Sequence, residues 1–258
     1  MNTIHPTTVI SGKANLGDNI TIGAYSVVED DVEIGDECEI GPHVVIYNGA
    51  RIGSRVKIKQ GSSVSNVPQD LKFANEESFF YIGDDTVIRE FVTLHRGTVD
   101  TGHSKVGKNC LLMAYAHVAH DVIVGDNCII ANGVQIAGHV LIEDYVIIGG
   151  CTPVHQFCKV GQHSMIGGGF RIVQDVPPYV LAGNEPLRYA GLNLIGLRRR
   201  GFSNNDIMIL KKAYQLLYES GLNVSQAKKR IGEELGENQY VKNVLKFLDA
   251  SNRGIIKR

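Results

Sequence analysis

An aliphatic residue returns at every sixth position along most of residues 4–172. The first run goes from Ile4, Ile10 and Leu16 through Ile52 and Ile58 to Val64, a second is Ile82, Ile88 and Leu94, and a third is unbroken from Val106 to Ile172. A period of six matches neither the 3.6-residue helical turn nor two-residue alternation. It matches a triangular coil whose sides are single hexads, three to a turn of eighteen residues, as in the hexapeptide β-helix. The aliphatic residue then points inward on each side. The fifth position (Val44, Cys110, Ala116, Val122) is small or β-branched and suits a tight corner. The residue after the aliphatic one is often Gly, as at Gly17, Gly35, Gly107 and Gly125, and is expected to give the turn its backbone freedom. Roughly nine coils at ~4.8 Å each give a prism ~40 Å long.

Two stretches break the register, residues 66–81 and 97–105. Loops ejected from a rigid solenoid are natural carriers of function. After Pro177, Pro178 and Pro186 the hexads stop. Ser203 to Asp206 reads as a helix N-cap, and Ile207, Leu210, Tyr214 and Leu217 share one helical face that ends near Gly221. Further helices are expected near Ser225–Leu235 and Gln239–Asp249, with a shorter one over Leu187–Arg200. The expected architecture is mainly β: a parallel β-helix over 1–185, then an α-helical domain over 186–258.

Charge divides at the same boundary. Residues 1–185 carry a net −9 and residues 186–258 a net +8, although the whole chain is only −1. A basic end of this kind suits an acidic partner. No apolar run approaches the ~20 residues that span a bilayer. The first residues lack a basic and apolar leader, so a cytoplasmic protein is expected. The five cysteines show no metal-binding spacing. Cys38, Cys110, Cys128 and Cys158 take the fifth hexad position and Cys151 the fourth, and all five read as free, small interior hydrophobes.

The eighteen-residue coil makes the chemistry computable. His120, Gly138 and Gln156 are eighteen apart, so they form one vertical file. His139 sits beside Gly138, Asp121 beside His120, and His155 beside Gln156, with His117 three residues before His120. A neutral imidazole can act as a general base, Asp121 can orient it, and the Gly138 N–H can donate to a developing oxyanion. Base, orienter and oxyanion donor are the parts of acyl transfer to a hydroxyl. No Ser or Cys nucleophile adjoins them, so direct transfer is the simpler scheme. Gathered histidines on a β-helix also resemble the gamma-class carbonic anhydrases, where His ligands hold zinc, but the three-residue spacing of His117 and His120 departs from that family's five.

Several motifs point further: Gln69-Asp70-Leu71-Lys72, His95-Arg96-Gly97-Thr98, His117-Val118-Ala119-His120-Asp121, Ala137-Gly138-His139, His155-Gln156-Phe157, Gln174 to Tyr179, and Arg199-Arg200-Gly201-Phe202. Together they resemble the bacterial UDP-N-acetylglucosamine O-acyltransferases of lipid A biosynthesis, from Ile4 almost to the C-terminus. The resemblance implies a left-handed β-helix, a homotrimer with sites between subunits, and no cofactor or bound metal. It implies transfer of an R-3-hydroxyacyl group from acyl carrier protein to the 3-hydroxyl of UDP-N-acetylglucosamine. His120 matches the base, Asp121 its partner and Gly138 the oxyanion donor. Gln69, Asp70, Lys72, His117, His139, His155 and Gln156 match substrate positions, with Asp70 expected from a neighbouring subunit. Asn193, Arg199 and Arg200 match the nucleotide region, where Ile195 replaces an acidic residue of some members. Gly168, flanked by Met165, matches the position that limits acyl length, and a Gly there implies a long chain. Some relatives acylate a 3-amino sugar instead. The acidic carrier protein would suit the basic tail, and neither nucleic-acid binding nor stable membrane insertion is expected.

Overall fold

In the computed structural model, which describes residues 1–258, each hexad is a strand of two to four residues followed by a corner. Three sheets result. Sheet A begins at Thr3–Ile4 and has eleven strands; sheet B begins at Val9–Ile10 and sheet C at Asn15–Leu16, with eight strands each. Pairing is parallel and in register, Ile4 with Ile22, Ile22 with Ile40, and Leu112 with Ile130. At the two breaks Ile52 pairs with Ile82 and Ile82 with Val106, so the insertions are whole hexads and the interior phase survives them. The ejected segments are narrower than expected, because Phe79–Ile82 and His103–Val106 are already strand. The loops are residues 67–78 and 96–102.

Two residues per hexad point inward. Ile130 and Val134, or Ile136 and Val140, are buried with almost no exposure. The corner is built differently from the expectation. The residue with positive φ is the fourth of the hexad, and it is mostly not Gly: φ is 57° at Asn19, 59° at Tyr25, 58° at Asp121 and 60° at His139. The left-handed region costs an L-residue about 1–2 kcal/mol, and bonds between coils, such as His139 N–H to the His120 carbonyl at 3.2 Å, hold the chain there. The second-position glycines have ordinary φ and serve a different need. A Cβ on Gly83 would lie 2.6 Å from backbone atoms of Gly107 and Lys108, so only hydrogen lets the coils stack at this corner. Cys151 is also a correction: on the fourth position, at φ 56°, it is exposed, whereas the other four cysteines are buried.

Residues 187–192 do not form the expected helix. Val180–Gly183 and Arg188–Leu192 make an antiparallel hairpin that finishes sheet A. The change to helix comes at Asn193, past the boundary expected at 186. Helices α1 (Leu194–Arg199), α2 (Asn204–Tyr218), α3 (Val224–Leu235) and α4 (Gln239–Ala250) follow. Ser203 caps α2 by accepting from the Asp206 amide, and Ile207, Leu210, Tyr214 and Leu217 are buried on its inner face. One apolar cluster runs from the solenoid into Leu197, Leu210, Tyr214 and Val241, so the helices close the open end of the coil. The C-terminal residues return to the solenoid, with Ile256 N–H donating to Asp175 O at 2.9 Å and Tyr189 N–H to Lys257 O at 2.8 Å. No helix is long and apolar enough to cross a membrane.

Candidate active site

The corner between sheets B and C carries the candidate catalytic residues. Val118, Ile136 and Val154 are stacked partners in sheet B, so the residues two places on, His120, Gly138 and Gln156, stand in one file. His120 is almost buried, and its Nδ1 lies 2.8 Å from Asp121 Oδ2. The Cε1–Nε2 edge of the ring faces Gly138, where a Cβ would fall 2.6 Å from Cε1 and 2.8 Å from Nε2. Gly138 is therefore required for the imidazole to sit where it does. The Gly138 N–H donates to nothing within the chain.

Asp121 is the most strongly determined group of the corner. Burial opposes its ionisation, but hydrogen bonds from Thr101, the Thr98 amide, His120 and the Thr98 hydroxyl outweigh burial and hold it at about 2. The Thr98 amide reaches Oδ1 at 3.0 Å and its hydroxyl reaches Oδ2 at 2.7 Å, while the Thr101 hydroxyl also binds Oδ1. An ionised carboxylate can only accept, so His120 donates from Nδ1, and the neutral form of the ring presents Nε2 as a lone pair.

The same donors bear on the zinc alternative. Ligand atoms of His120, Asp121 and His139 come within 4.8 Å of one another. A carboxylate has about four lone-pair sites, and the bonds from Thr98, Thr101 and His120 occupy those of Asp121. The donor set is arranged for a hydrogen-bonded pair.

A cavity of ≈ 680 Å³ opens over this corner. Its lining brings together His120, His139 and Gln156 with Gln69, Asp70 and Lys72 of the first loop and Thr98 to Asp100 of the second. Asp70 lines the cavity of its own chain. His139 stacks on Phe157 at 4.6 Å and meets His120 edge-on at 5.1 Å. His117 lies on the outer face of sheet B, bonded through Nδ1 to Thr93 Oγ1 at 2.8 Å; burial, then the His120 charge, lower its pKa. His155 is exposed and holds the Gln156 carbonyl at 3.1 Å.

The remaining candidates do not converge on this cavity within one chain. Asn193 is buried, accepts from the Gly196 amide as the cap of α1, and donates to the His163 carbonyl at 2.9 Å. Arg199 is exposed at the end of α1, and the Arg200 guanidinium lies 5.1 Å from the Tyr145 ring. Tyr145 and His163 mark the corner between sheets C and A, one side of the prism away. Gly168 is at the corner between A and B, and Met165 is on sheet A. Sequence reasoning missed Thr98, Thr101 and Thr93. The first two lie on the second loop, where eighteen-residue arithmetic does not reach; the signals were their place in an ejected segment and, for Thr98, the motif His95-Arg96-Gly97-Thr98, to which no role was attached.

Residues 175–256 match the family described as UDP-N-acetylglucosamine O-acyltransferase, domain 2, and residues 13–48, 31–66 and 103–138 match the bacterial transferase hexapeptide. A protein of Thiobacillus denitrificans named acyl-[acyl-carrier-protein]–UDP-N-acetylglucosamine O-acyltransferase is 45% identical over 258 residues, covering 100% of both chains. The chain belongs to the UDP-N-acetylglucosamine O-acyltransferase family. A protein of the same name from Sulfurovum is 48% identical over 256 residues, 99% of this chain and 98% of its own. Solved structures of two members superpose closely on this acyltransferase. The one from Acinetobacter baumannii has 43% identity and a TM-score of 0.95 over 98% of this chain and 99% of its own. The one from Bacteroides fragilis has 43% identity and a TM-score of 0.96, with the same coverage.

Proposed function

We propose that this acyltransferase moves an R-3-hydroxyacyl group from acyl carrier protein directly to the 3-hydroxyl of UDP-N-acetylglucosamine, the first step of lipid A biosynthesis. The names of its relatives support the donor and the acceptor. The observation that carries the mechanism is the His120 ring, fixed by ionised Asp121 on one side and packed against Gly138, whose amide is unbonded, on the other. Nε2 takes the proton of the sugar hydroxyl as its oxygen attacks the thioester carbonyl. The Gly138 N–H receives the oxyanion. Collapse breaks the carbon–sulfur bond, and the imidazolium returns its proton to the leaving thiolate. One ester forms, one thioester breaks, and no enzyme-bound acyl group intervenes.

The acceptor enters the cavity beneath the first loop, where Asp70, Lys72, His139 and Gln156 hold the sugar. Arg199 and Arg200 bind the diphosphate from another copy of the chain in a homotrimer, because their corner is not that of His120. Asn193, with its side chain engaged internally, sets α1 and so positions Arg199. Gly168 admits a long acyl chain.

The purified protein is assayed with acyl carrier protein thioesters of graded length against UDP-N-acetylglucosamine and its 3-amino analogue, alongside zinc content and carbon dioxide hydration. Transfer to the hydroxyl sugar, strongest with long chains, is expected. Preference for the amino sugar changes the acceptor, and stoichiometric zinc with hydration activity overturns the reading. His120→Ala should lower kcat by a factor on the order of 10²–10⁴ without changing the oligomeric state. Gly168→Met should shift preference toward shorter donors; an unshifted preference removes Gly168 from the length assignment.

A further inference from the structure

The stretch Asn75 to Phe80 has no role in the chemistry above, yet one of its side chains joins both ejected loops. Glu76 turns back over the first loop, and its Oε2 accepts from the Ala74 amide at 2.8 Å. Its Oε1 accepts from the Val99 amide, on the second loop, at 3.1 Å. Val99 follows Thr98, whose amide and hydroxyl both hold Asp121. Asp70 in turn shapes its own end of the first loop by accepting from the Lys72 amide at 3.0 Å. Both loops line the cavity over His120, and Glu76 lines it with them. Beside this clasp, the Arg96 guanidinium lies 5.5 Å from the Phe73 ring and donates to the Asn48 carbonyl at 2.9 Å.

We propose that Glu76 is a positioning residue, the clasp that makes the two inserted loops one unit and so holds Asp70 and Lys72 at the acceptor's place above the catalytic pair. The proposal rests on the acyl-transfer reading for what the loops bind, but not for the clasp itself. A carboxylate suits the task because it presents two acceptor oxygens to two amides. Gln keeps one acceptor and turns an N–H toward the second amide. Asp is one methylene shorter and does not reach both. The strand ends that flank the loops, Asn66 and Phe79, His95 and His103, are fixed by sheet pairing, so loss of the clasp frees the loops and leaves the solenoid intact.

Two measurements test this. In steady-state kinetics, Glu76→Ala should raise the KM for UDP-N-acetylglucosamine by roughly tenfold or more, the size of losing one to two charge-assisted hydrogen bonds. The KM for the acyl carrier thioester should stay within about twofold. Glu76→Gln should fall between Glu76→Ala and the parent, and Glu76→Asp should resemble Glu76→Ala. In limited trypsin digestion of the full chain, the Lys72–Phe73 bond should be cut about tenfold faster in Glu76→Ala, while the thermal midpoint changes little. Digestion does not depend on the substrate assignment. If the parent protein transfers no acyl group but the cutting rate still rises, the functional reading fails and the clasp stands. An unchanged cutting rate, or equal increases in both KM values, overturns the clasp.

Discussion

A single hydrogen decides the candidate catalytic corner at the residue scale. Gly138→Ala adds one methyl, and that methyl would lie 2.6 Å from His120 Cε1. The ring must move from its place against Gly138. Gly138→Ala should therefore reduce kcat by roughly tenfold to a hundredfold, as for a displaced base or oxyanion donor, with the fold retained by circular dichroism. The buried imidazoles away from this corner make a different prediction. His95 and His163 are both held at about 4, chiefly by burial, with the neighbouring His117 and Arg200 charges respectively adding to it. Their ordinary value is near 6.5. Between about pH 6.5 and 4 the unfolded chain therefore binds more protons than the folded one, and stability falls as the pH drops through that window. His163 stacks between Tyr145 at 4.6 Å and Tyr179 at 5.6 Å. Its backbone φ of 58° is one that Phe157 and Phe91 adopt at the same hexad position, 64° and 56°. His163→Phe should keep the stack, and melting curves at stepped pH should show a shallower acid decline than the parent. An unchanged slope would place the acid sensitivity elsewhere.

The hexad was readable as an element because its interior demand repeats: an aliphatic residue at one position and a small one four places on, each facing the same core. The corner was misread because its demand falls on backbone conformation and not on side-chain type. Asn19, Tyr25, Asp121, His139 and Cys151 share a left-handed φ and little chemistry, so no composition signal marks the position. The glycines were visible but were given the wrong reason, which a mutant pair separates. Gly83→Ala brings a methyl against the Gly107–Lys108 backbone of the next coil and should cost about 1–3 kcal/mol. Asn127→Gly, at φ 59°, should stay within about 0.5 kcal/mol, since relief of the left-handed strain offsets the greater freedom of the unfolded chain. Urea unfolding measures both. The hairpin over 180–192 escaped the reading because Arg188 to Leu192 carries neither the hexad nor a two-residue alternation. In the site, the file of His120, Gly138 and Gln156 followed from arithmetic, while Thr98 and Thr101 could not, because an inserted loop chooses its landing point by tertiary contact.

Across the whole molecule, charge and geometry both look outward. Many of the tail's cations are neutralised within it, Lys212 and Arg230 by Glu234, Lys228 by Asp249 and Arg258 by Glu219. Lys211, Lys246 and Lys257 are among the tail cations with no such partner, and in the proposed reaction their charge is free to steer an acidic carrier protein. Reversing these three should raise the carrier-protein KM and flatten its salt dependence; unchanged values of both would remove steering as the purpose of the basic end. Geometry makes the sharper demand. His120 stands at the corner between sheets B and C, whereas Arg200, the residue after Arg199, lies against Tyr145 at the corner between sheets C and A, so if His120 and Arg199 hold one sugar nucleotide, they belong to different copies. His120→Ala subunits lack the proposed base, and Arg199→Ala subunits lack the proposed diphosphate contact. Each homogeneous preparation should have little activity. When the two are unfolded together and refolded at equal ratio, a site between subunits is intact only where an Arg199→Ala chain supplies His120 and a His120→Ala chain supplies Arg199. Random mixing around a closed ring gives that arrangement in about a quarter of sites. Recovery of about a quarter of the parent's activity is therefore expected, with none on mixing the preparations without refolding. Sites complete within one chain would recover nothing, because every chain in the mixture is defective.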